Sequence, residues 1–220
     1  MSESLRIAVL GATGRTGARV VASALRDERF TLVAAVGAHP GQDAGRAAGE
    51  AECGVIVGAL GPGCFADAEV VVDFSTPNAL DRALTLLGGA RLVTGTTGLL
   101  PDQVNRLVDR SIEVAVLTAP NFSTGVTLLA DLVERAARAL PDYDVEIVEA
   151  HHRGKVDAPS GTAIALARAA ARGHDTDLEG HAIYGREGRT GARPAGAIGL
   201  HAVRMGDVVG EHTVWLAGLG

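Results

Sequence analysis

The first 25 residues constrain the fold of this chain more than any other segment. Leu5 to Leu10 is a short run of β-forming residues, and it leads into a turn with glycines at positions 11, 14 and 17. Ala18 to Leu25 follows with the composition of a helix. A glycine turn between a strand and a helix lets the backbone approach a pyrophosphate, whose charge is met by free amides and by the helix dipole. The spacing predicts a dinucleotide-binding loop, although a tight turn without a ligand has the same glycines.

Strands and helices continue to alternate beyond this turn. Short apolar runs predict further strands at 31–36, 70–74, 92–94 and 114–117, with helical stretches between them. Strands that alternate with helices form parallel sheets through right-handed crossover connections. We therefore expect an α/β chain in which residues 1–122 form a Rossmann-like, parallel-sheet nucleotide-binding domain.

The pattern changes near Asn121. Gly125 to Leu140 has apolar residues at helical spacing, Val145 to Val148 predicts a strand, and Gly161 to Arg172 predicts a second helix. The stretch 181–219 contains short apolar runs separated by glycines, which we interpret as mostly antiparallel strands, including one at 207–209. Residues 123–220 are therefore expected to form an α+β domain with a mixed or antiparallel sheet.

Composition argues against several classes of protein. Of the 220 residues 47% are hydrophobic, which is enough for a buried core, and the net charge of -6 argues against nucleic-acid binding. Cys53 and Cys64 stand apart without zinc-ligand spacing, so neither a metal site nor a disulfide framework is expected. No apolar run approaches the length of a membrane span, and the polar N-terminus does not resemble a signal peptide. We expect a cytoplasmic protein with no membrane partner.

Three loops follow predicted strands of the first domain. Segments 73–77, 95–98 and 119–122 combine small residues with polar groups at the carboxyl ends of strands, where open parallel sheets bind their ligands. Such groups suit a nicotinamide ribose or carboxamide. Ordinary strand-to-helix turns would have much the same composition.

The end of the second predicted strand lacks the usual cofactor signal. An Asp or Glu normally binds the adenosine ribose there, but this chain has Gly37, Ala38 and His39, with no acid before Asp43 and no Arg. His39 is expected to meet a 2′-phosphate only weakly. The sequence therefore leaves the preference between NADH and NADPH open.

The segment from Glu149 to Thr162 carries most of the candidate chemistry. Two histidines, an arginine and a lysine lie within five residues of an acidic chain, so the lysine has positively charged neighbours in sequence, and both residue types can supply a proton. Ser160, Gly161 and Thr162 then open a helix, where they predict an anion site for a substrate carboxylate. A solvated basic loop followed by an ordinary N-cap would have the same residues. Adjacent histidines usually point to different sides, which argues against a metal site.

Four blocks of this sequence together resemble the dihydrodipicolinate reductase family. They are Glu149 to Ala163, Gly95-Thr96-Thr97-Gly98, Ala119-Pro120-Asn121-Phe122-Ser123 and Gly185-Arg186-Glu187-Gly188. They occur in the family's order within a resemblance that runs from the first strand to residue 214. The resemblance implies an enzyme that uses NADH or NADPH to reduce the cyclic imine formed from 4-hydroxy-tetrahydrodipicolinate. The product would be tetrahydrodipicolinate, in lysine and diaminopimelate biosynthesis.

The resemblance also implies roles for individual residues. His151 matches the family's proton donor and acceptor, and Lys155 matches its proton donor, which leaves open which of them is the main acid. His152, Gly161 and Thr162 match substrate-binding positions. The matching cofactor positions are Gly11, Ala12, Thr13, Gly14, Arg15, Thr16, Gly95, Thr96, Thr97, Ala119, Pro120, Asn121 and Phe122. The second domain is then expected to bind substrate and to form a homotetramer.

This interpretation has two alternatives, and the sequence departs from the family pattern at two places, after the second predicted strand and at the C-terminus. Another reductase on the same scaffold, of the aspartate-semialdehyde or homoserine type, is one alternative. The first of these types needs a catalytic cysteine flanked by asparagine, which neither Cys53 nor Cys64 provides. The other alternative, a non-enzymatic dinucleotide-binding sensor, would have no use for the histidine-rich segment. Family members usually continue past the position of Gly220, so we expect their C-terminal return segment to be missing here.

Overall fold

Two sheets, one in each half of the chain, organise this protein. The computed structural model describes residues 4–219. The chain divides into two compact units, Met1–Ala119 and Pro120–Gly220, and each has its own hydrophobic core. Within residues 4–219, every helix is too short or too polar to traverse a lipid bilayer.

The first unit contains a six-stranded parallel sheet. Its strands are β1 (Leu5–Leu10), β2 (Phe30–Val36), β3 (Val57–Gly58), β4 (Val70–Asp73), β5 (Arg91–Thr94) and β6 (Val116–Thr118), in the spatial order β3-β2-β1-β4-β5-β6. The connecting helices are α1 (Arg15–Leu25), α2 (Ala44–Ala47), α3 (Pro77–Leu84) and α4 (Pro101–Ser111). The order reverses between β1 and β4, and the carboxyl ends of these strands mark the switch point at which such sheets bind ligands.

Both faces of this sheet are apolar because helices cover both. Side chains alternate along β1, so Leu10 packs in one core cluster with Leu80 of α3, whereas Val9 packs in another with Val21 of α1. Burial of one such side chain contributes about 2 kcal/mol. The expected Rossmann-like parallel sheet is confirmed.

The second unit combines two helices with a four-stranded sheet. Its elements are α5 (Thr124–Ala139), β7 (Asp144–His151), α6 (Gly161–Gly173), β8 (Ala182–Tyr184), β9 (Ile198–Arg204) and β10 (Glu211–Ala217), with strand order β10-β7-β9-β8. Val145 and Ile147 of β7 join the core formed with α5 and α6. The intervening residues, among them Glu146, point to the opposite face of the sheet because side chains alternate along a strand.

The second sheet is mixed, as expected, but the stretch 181–219 is not mostly antiparallel. β8 is parallel to β9 and β9 is parallel to β7, and among the described strands only β10 is antiparallel to its neighbour β7. The 13-residue helix α6 explains this, because a helical crossover after β7 returns the chain in the same direction. Residues 207–209, expected to be a strand, lie in the connection between β9 and β10.

Candidate active site

Three glycines let the turn after β1 pack closely. Gly11 has a φ of 82°, which favours glycine, and a Cβ there would lie 2.5 Å from the carbonyl oxygen of Phe74. A Cβ on Gly17 would lie 2.0 Å from the carbonyl oxygen of Gly11. The amide of Gly14 donates to that same oxygen over 2.9 Å. The glycine spacing is therefore required by the packing of the turn itself.

Helix α1 begins directly after this turn. Its N-cap is Gly14, which offers no side-chain cap, and its first turn contains no acidic residue. The first amides of a helix lack intrahelical acceptors, and the dipole at that end favours an anion. The turn from Gly11 to Thr16 therefore has the backbone geometry and the electrostatics of a pyrophosphate site.

A cavity of about 730 Å³ opens beside the turn. It is lined by the turn, by residues 36–40 after β2, by Ser75 and Thr76 after β4, and by Arg82 of α3. None of the described residues that line it is Asp or Glu. Its place at the ends of β1, β2 and β4 suits the adenosine half of a dinucleotide.

Asp73, at the end of β4, ties together two loops at the carboxyl edge of the sheet. Its side chain is fully buried, and one carboxylate oxygen accepts hydrogen bonds from the amide and hydroxyl of Ser75 at 3.0 and 2.5 Å. The other oxygen accepts from the hydroxyls of Thr94 and Thr96 at 2.6 and 2.7 Å. These donors satisfy a carboxylate that would otherwise be costly to bury. The predicted cofactor loop Gly95–Thr97 is thereby held beside the loop after β4.

The third predicted cofactor segment crosses the division between the two units. Ala119 ends the first unit, and its amide donates to the carbonyl oxygen of Thr94 at 3.2 Å. Residues 120–122 open the second unit ahead of α5. There the Asn121 side chain accepts a hydrogen bond from the amide of Ser123 at 2.8 Å. The segment thus keeps its expected place between a strand and a helix.

Glu149, on β7, is the buried centre of the second candidate site. One carboxylate oxygen lies 2.6 Å from Nδ1 of His151, and the other accepts from the Ser160 amide at 3.0 Å. The guanidinium of Arg204 donates to both oxygens, at 2.8 and 2.7 Å. Burial opposes ionisation of Glu149, but the hydrogen bonds from Arg204, His151 and Ser160 outweigh it and lower its pKa. The carboxylate is therefore ionised at neutral pH.

His151 is oriented by this carboxylate. An ionised carboxylate only accepts hydrogen bonds, so Nδ1 of His151 carries the proton and Nε2 is the atom left for proton exchange. The ring makes an edge-to-face contact with His212, with 5.2 Å between the centroids. A Cβ on Gly210 would lie 3.0 Å from Nε2. Glycine at that position leaves room beside the reactive nitrogen.

His212 of β10 links this histidine to the start of α6. Its Nε2 lies 2.9 Å from the hydroxyl oxygen of Ser160. Burial, followed by the charge of His151, lowers the pKa of His212 below its usual value. The His212 ring is therefore neutral at neutral pH.

Ser160 is the N-cap of α6, and its polar groups are used within the protein. Its hydroxyl accepts from the amide of Ala163 at 3.1 Å, and its amide donates to Glu149. Ser160 is buried, whereas Gly161 and Thr162 in the first turn are partly exposed. The first turn contains no acidic residue, so the dipole of α6 favours an anion there. The exposed positions of the predicted anion site are therefore Gly161 and Thr162.

Lys155 lies in the loop between β7 and α6. We expected positive charge beside it, but its Nζ lies 2.8 and 2.9 Å from the two carboxylate oxygens of Asp157. The loop folds back so that the Lys155 amide donates to the carbonyl oxygen of His152 at 3.1 Å. Arg204 also donates to the carbonyl oxygen of Asp157 at 2.7 Å, which connects this loop to the Glu149 network. His152 is partly exposed next to His151.

The sequence did not predict the roles of Glu149, Arg204 and His212. One signal for Glu149 existed, because residues two apart on a strand share a face and Glu149 is two residues before His151. Arg204 and His212 lie on β9 and β10, and only the pairing of these strands with β7 brings them to the site. In the part of the chain from residue 4 to 219, no group of three or more His, Cys, Asp or Glu side chains is placed to hold a metal ion.

Models of one protein family match both halves of the chain. The model described as dihydrodipicolinate reductase, N-terminus, matches residues 5–122, and the model described as dihydrodipicolinate reductase, C-terminus, matches residues 125–220. The 4-hydroxy-tetrahydrodipicolinate reductase of Methylocella silvestris is 45% identical over 98% of this chain and 82% of that protein. That of Halorhodospira halophila is 46% identical over 99% of this chain and 84% of that protein.

Two solved structures resemble this chain. The dipicolinate-bound dihydrodipicolinate reductase from Paenisporosarcina sp. TG-14 matches with a TM-score of 0.66 and 29% identity, over 99% of this chain and 85% of that chain. GenD2 from gentamicin A biosynthesis, solved in complex with NAD, matches with a TM-score of 0.63 at 16% identity, which shows a shared fold alone. With family models that match both halves and curated relatives about 45% identical along almost its whole length, this chain belongs to the dihydrodipicolinate reductase family.

Proposed function

We propose that this chain is a cytoplasmic enzyme that reduces a dihydrodipicolinate-type cyclic imine to tetrahydrodipicolinate. The imine derives from 4-hydroxy-tetrahydrodipicolinate by loss of water, the reductant is NADH or NADPH, and the pathway is lysine and diaminopimelate biosynthesis. The observation that carries the proposal is the Glu149–His151 pair in the segment that also contains Lys155 and the start of α6. Relatives with the name of this reductase share 45% identity over nearly all of the chain.

The first unit fits a nicotinamide dinucleotide. The glycines allow the tight turn, and α1, which begins directly after it, places the positive end of its dipole there, where a pyrophosphate would bind. Residues 11–16 would hold the pyrophosphate, and residues 95–97 and 119–122 would hold the nicotinamide half. When bound, the reduced nicotinamide supplies a hydride to the imine.

His151 is one proton donor in this proposal. Hydride addition places negative charge on the conjugated imine, so a cationic acid stabilises the transition state. With its Nδ1 proton held by Glu149, His151 gives and takes a proton at Nε2. Glu149 stabilises the imidazolium form, and Arg204 keeps the carboxylate in place from its other side. Glu149 and Arg204 are therefore positioning residues.

Lys155 is the second proton donor in this proposal. Asp157 contacts its ammonium group with both carboxylate oxygens, at 2.8 and 2.9 Å, and so holds the end of this side chain in place. Arg204 fixes the backbone of the same loop through the Asp157 carbonyl oxygen. A shared arginine thus supports both candidate acids.

The substrate carboxylates are proposed to bind at the start of α6. Gly161 and Thr162 present backbone amides and a hydroxyl group in a partly exposed first helical turn, and His152 adds a ring nitrogen. Ser160 supports this site as the buried N-cap, because its amide and hydroxyl are bonded to Glu149, Ala163 and His212. This arrangement suits one carboxylate of the small dicarboxylate that the proposed reaction requires.

The decisive test supplies the substrate continuously. A coupled dihydrodipicolinate synthase would generate the hydroxy substrate in situ while the absorbance of NADH or NADPH is followed. Turnover that depends on the synthase supports the proposal. Nucleotide oxidation without the synthase, or none with it while nucleotide binding persists, contradicts it. Aspartate semialdehyde without the synthase is the control substrate for a rival of the homoserine type, which would reduce it with NADH or NADPH, and the proposal expects no turnover with it.

The open face of the second sheet supports the expected homotetramer. Trp215 of β10 and Val203 of β9 lie on the face opposite α5 and α6, and their exposed fractions are 56% and 37%. The two side chains are in register with Glu146 and Ala150 of β7, four residues apart, so they are two separate exposed apolar positions on this face. Exposed apolar and aromatic side chains of this kind are common at subunit interfaces. Light scattering after gel filtration should give about four times the monomer mass. Trp215→Glu should lower that mass, whereas Ile112→Glu, at an exposed position after α4, should not.

A further inference from the structure

The cavity beside the glycine turn contains two nitrogen-rich side chains, His39 and Arg82. His39 follows β2 and Arg82 lies on α3, so the two approach the cavity from different elements. None of the described residues around the cavity has a carboxylate. A ligand group that occupies this part of the cavity therefore meets hydrogen-bond donors and positive charge.

The contacts of Asp43 show that it does not replace the carboxylate that is missing after β2. Asp43 is the first acid after β2 in the sequence, but it caps α2 and accepts from the amide of Arg46 at 3.1 Å. Its oxygens also accept from the amides of Cys53 and Gly54, at 3.2 and 2.9 Å. These bonds hold Asp43 in the α2 turn. It therefore cannot take the usual place of the acid that accepts a hydrogen bond from the ribose 2′-hydroxyl.

Arg82 differs from most arginines of the first unit. The arginines that pair with carboxylates there are Arg6, Arg26, Arg29, Arg46, Arg106 and Arg110. Its neighbour Asp81 is paired with Arg106 instead. Within residues 4–219, no carboxylate forms an ion pair with Arg82, whose guanidinium makes one long hydrogen bond of 3.4 Å to the carbonyl oxygen of Leu60. Its charge is therefore available to a ligand in the cavity.

We propose that Arg82, assisted by His39, binds the 2′-phosphate of the adenosine ribose, so that the enzyme prefers NADPH to NADH. The inference rests on the proposed function, since it names the cofactor of that same site. A guanidinium is planar and donates two parallel hydrogen bonds to phosphate oxygens, which suits a phosphate monoester. The cation thus comes from α3, whereas the position after β2 usually supplies it.

The kinetic test compares both cofactors in the coupled assay. The kcat/KM with NADPH should exceed that with NADH by about tenfold or more, because a hydrogen-bonded charge pair is typically worth that factor. Arg82→Ala should lower the NADPH value by about 10–100-fold and change the NADH value by less than about twofold. Arg82→Lys should retain part of the preference, because it keeps the charge but loses the bidentate geometry.

The control variant is Arg91→Ala, which also removes one arginine charge, but at the amino end of β5. It should leave the ratio of NADPH to NADH unchanged. Equal use of both cofactors by the unaltered protein, or equal losses with both cofactors in Arg82→Ala, would overturn the inference. A preference for NADPH that persists in Arg82→Ala would also overturn it.

A binding experiment separates this inference from the proposed function. Calorimetry with adenosine 2′,5′-bisphosphate and adenosine 5′-monophosphate measures the contribution of the 2′-phosphate without any turnover. The bisphosphate should bind about tenfold or more tightly than the monophosphate, and Arg82→Ala should remove the difference. If this result holds in a protein that shows no reductase activity, the proposed function fails and the 2′-phosphate site stands. Equal binding of the two nucleotides rejects the site even if the reductase is active.

Discussion

Glu149 faces a guanidinium, an imidazole and a helix amide at once, so the site depends on its charge more than on its shape. Glu149→Gln keeps the size of the side chain but removes the charge that stabilises protonated His151. We expect kcat to fall by at least about 10-fold, because His151 would lose the group that orients it while the imidazole itself remains. The pH profile of kcat should also move toward lower pH, because the imidazolium loses its counter-charge.

The control for this variant is Glu134→Gln on α5. Glu134 also contacts two arginines, Arg138 and Arg172, but it lies on α5, where its side chain is partly exposed, and it does not contact His151. The Glu134→Gln substitution should change neither kcat nor its pH profile. A Glu149→Gln enzyme that loses stability yet keeps the unaltered pH profile would contradict the positioning role and leave only a structural one.

Lys155 is the second proton donor of the proposed mechanism, and its role can be tested separately from that of His151. Lys155→Ala removes an ammonium group without touching the glycine turn. The proposal therefore expects kcat to fall by about 10²–10⁴-fold while the dissociation constant of NADPH stays within about twofold. Stopped-flow reduction and fluorescence titration measure the two quantities separately. An unchanged kcat would remove Lys155 from the mechanism and leave His151 as the acid.

For single residues, the sequence predicted the candidate site residues better than it predicted which residues contact them. The segment containing His151 and Lys155 stands out because of its composition alone. Its partners do not, because Arg204 and His212 become neighbours of Glu149 only through strand pairing. Asp73 was predicted only as part of a loop, and the hydroxyl groups that bind it lie on the next strand and its loop.

Among the elements, the turn from β1 into α1 is packed so closely that even a methyl group does not fit. A methyl group on Gly17 would meet the carbonyl oxygen of Gly11 at 2.0 Å, and neither backbone can move without shifting β1 or α1. Gly17→Ala should therefore destabilise the protein by about 1–3 kcal/mol. It should also weaken NADPH binding, because the displaced turn is the proposed pyrophosphate site.

Gly89→Ala is the matched control for Gly17→Ala. A Cβ on Gly89 would have no atom within 4 Å, so the substitution should change stability by less than about 0.5 kcal/mol. Urea unfolding and calorimetric NADPH titration report the two effects. Equal stability of both variants would show that the close contact at Gly17 is relieved at no cost, against the prediction.

Element boundaries show where sequence patterns stop being informative. The prediction began α1 at Ala18, but the helix begins at Arg15 and includes Gly17. A Cβ at position 17 would clash with the carbonyl oxygen of Gly11, so only glycine fits there despite a helix cost of about 1 kcal/mol. The strand predicted at 145–148 continues to His151, since β9 and β10 pair with its polar end as well. Tertiary pairing extended an element beyond its apolar run.

For the whole molecule, the fold class could be predicted from local sequence patterns, but the order and directions of the strands in the second sheet could not. Alternating strands and helices leave few arrangements for the first unit, so its parallel sheet was predictable. In the second unit, short strands separated by glycines suit either orientation. Their order and direction depend on the crossover through α6 and on side-chain pairs that no local pattern encodes.

Acid should destabilise the second unit through Glu146. Partial burial opposes its ionisation, but hydrogen bonds from Arg186, His201 and Arg193 outweigh this and lower the pKa of Glu146 from 4.5 to about 2. A carboxyl group whose pKa is lower in the folded state stabilises the fold above its unfolded pKa. This contribution is complete above about pH 4.5 and is lost as the pH falls toward 2.

Glu146→Gln tests this contribution directly. The difference in unfolding free energy between the unaltered protein and the variant should be about 1–3 kcal/mol above pH 4.5 and should shrink toward pH 2. Trp215 is the single tryptophan of the chain and pairs across the strands with Glu146, so its fluorescence in urea reports the unfolding of this unit. Glu187→Gln, at an exposed position of the same unit, should give a difference that does not vary with pH. A pH-independent difference for Glu146→Gln would instead mean that the hydrogen bonds around Glu146 do not stabilise its charged form.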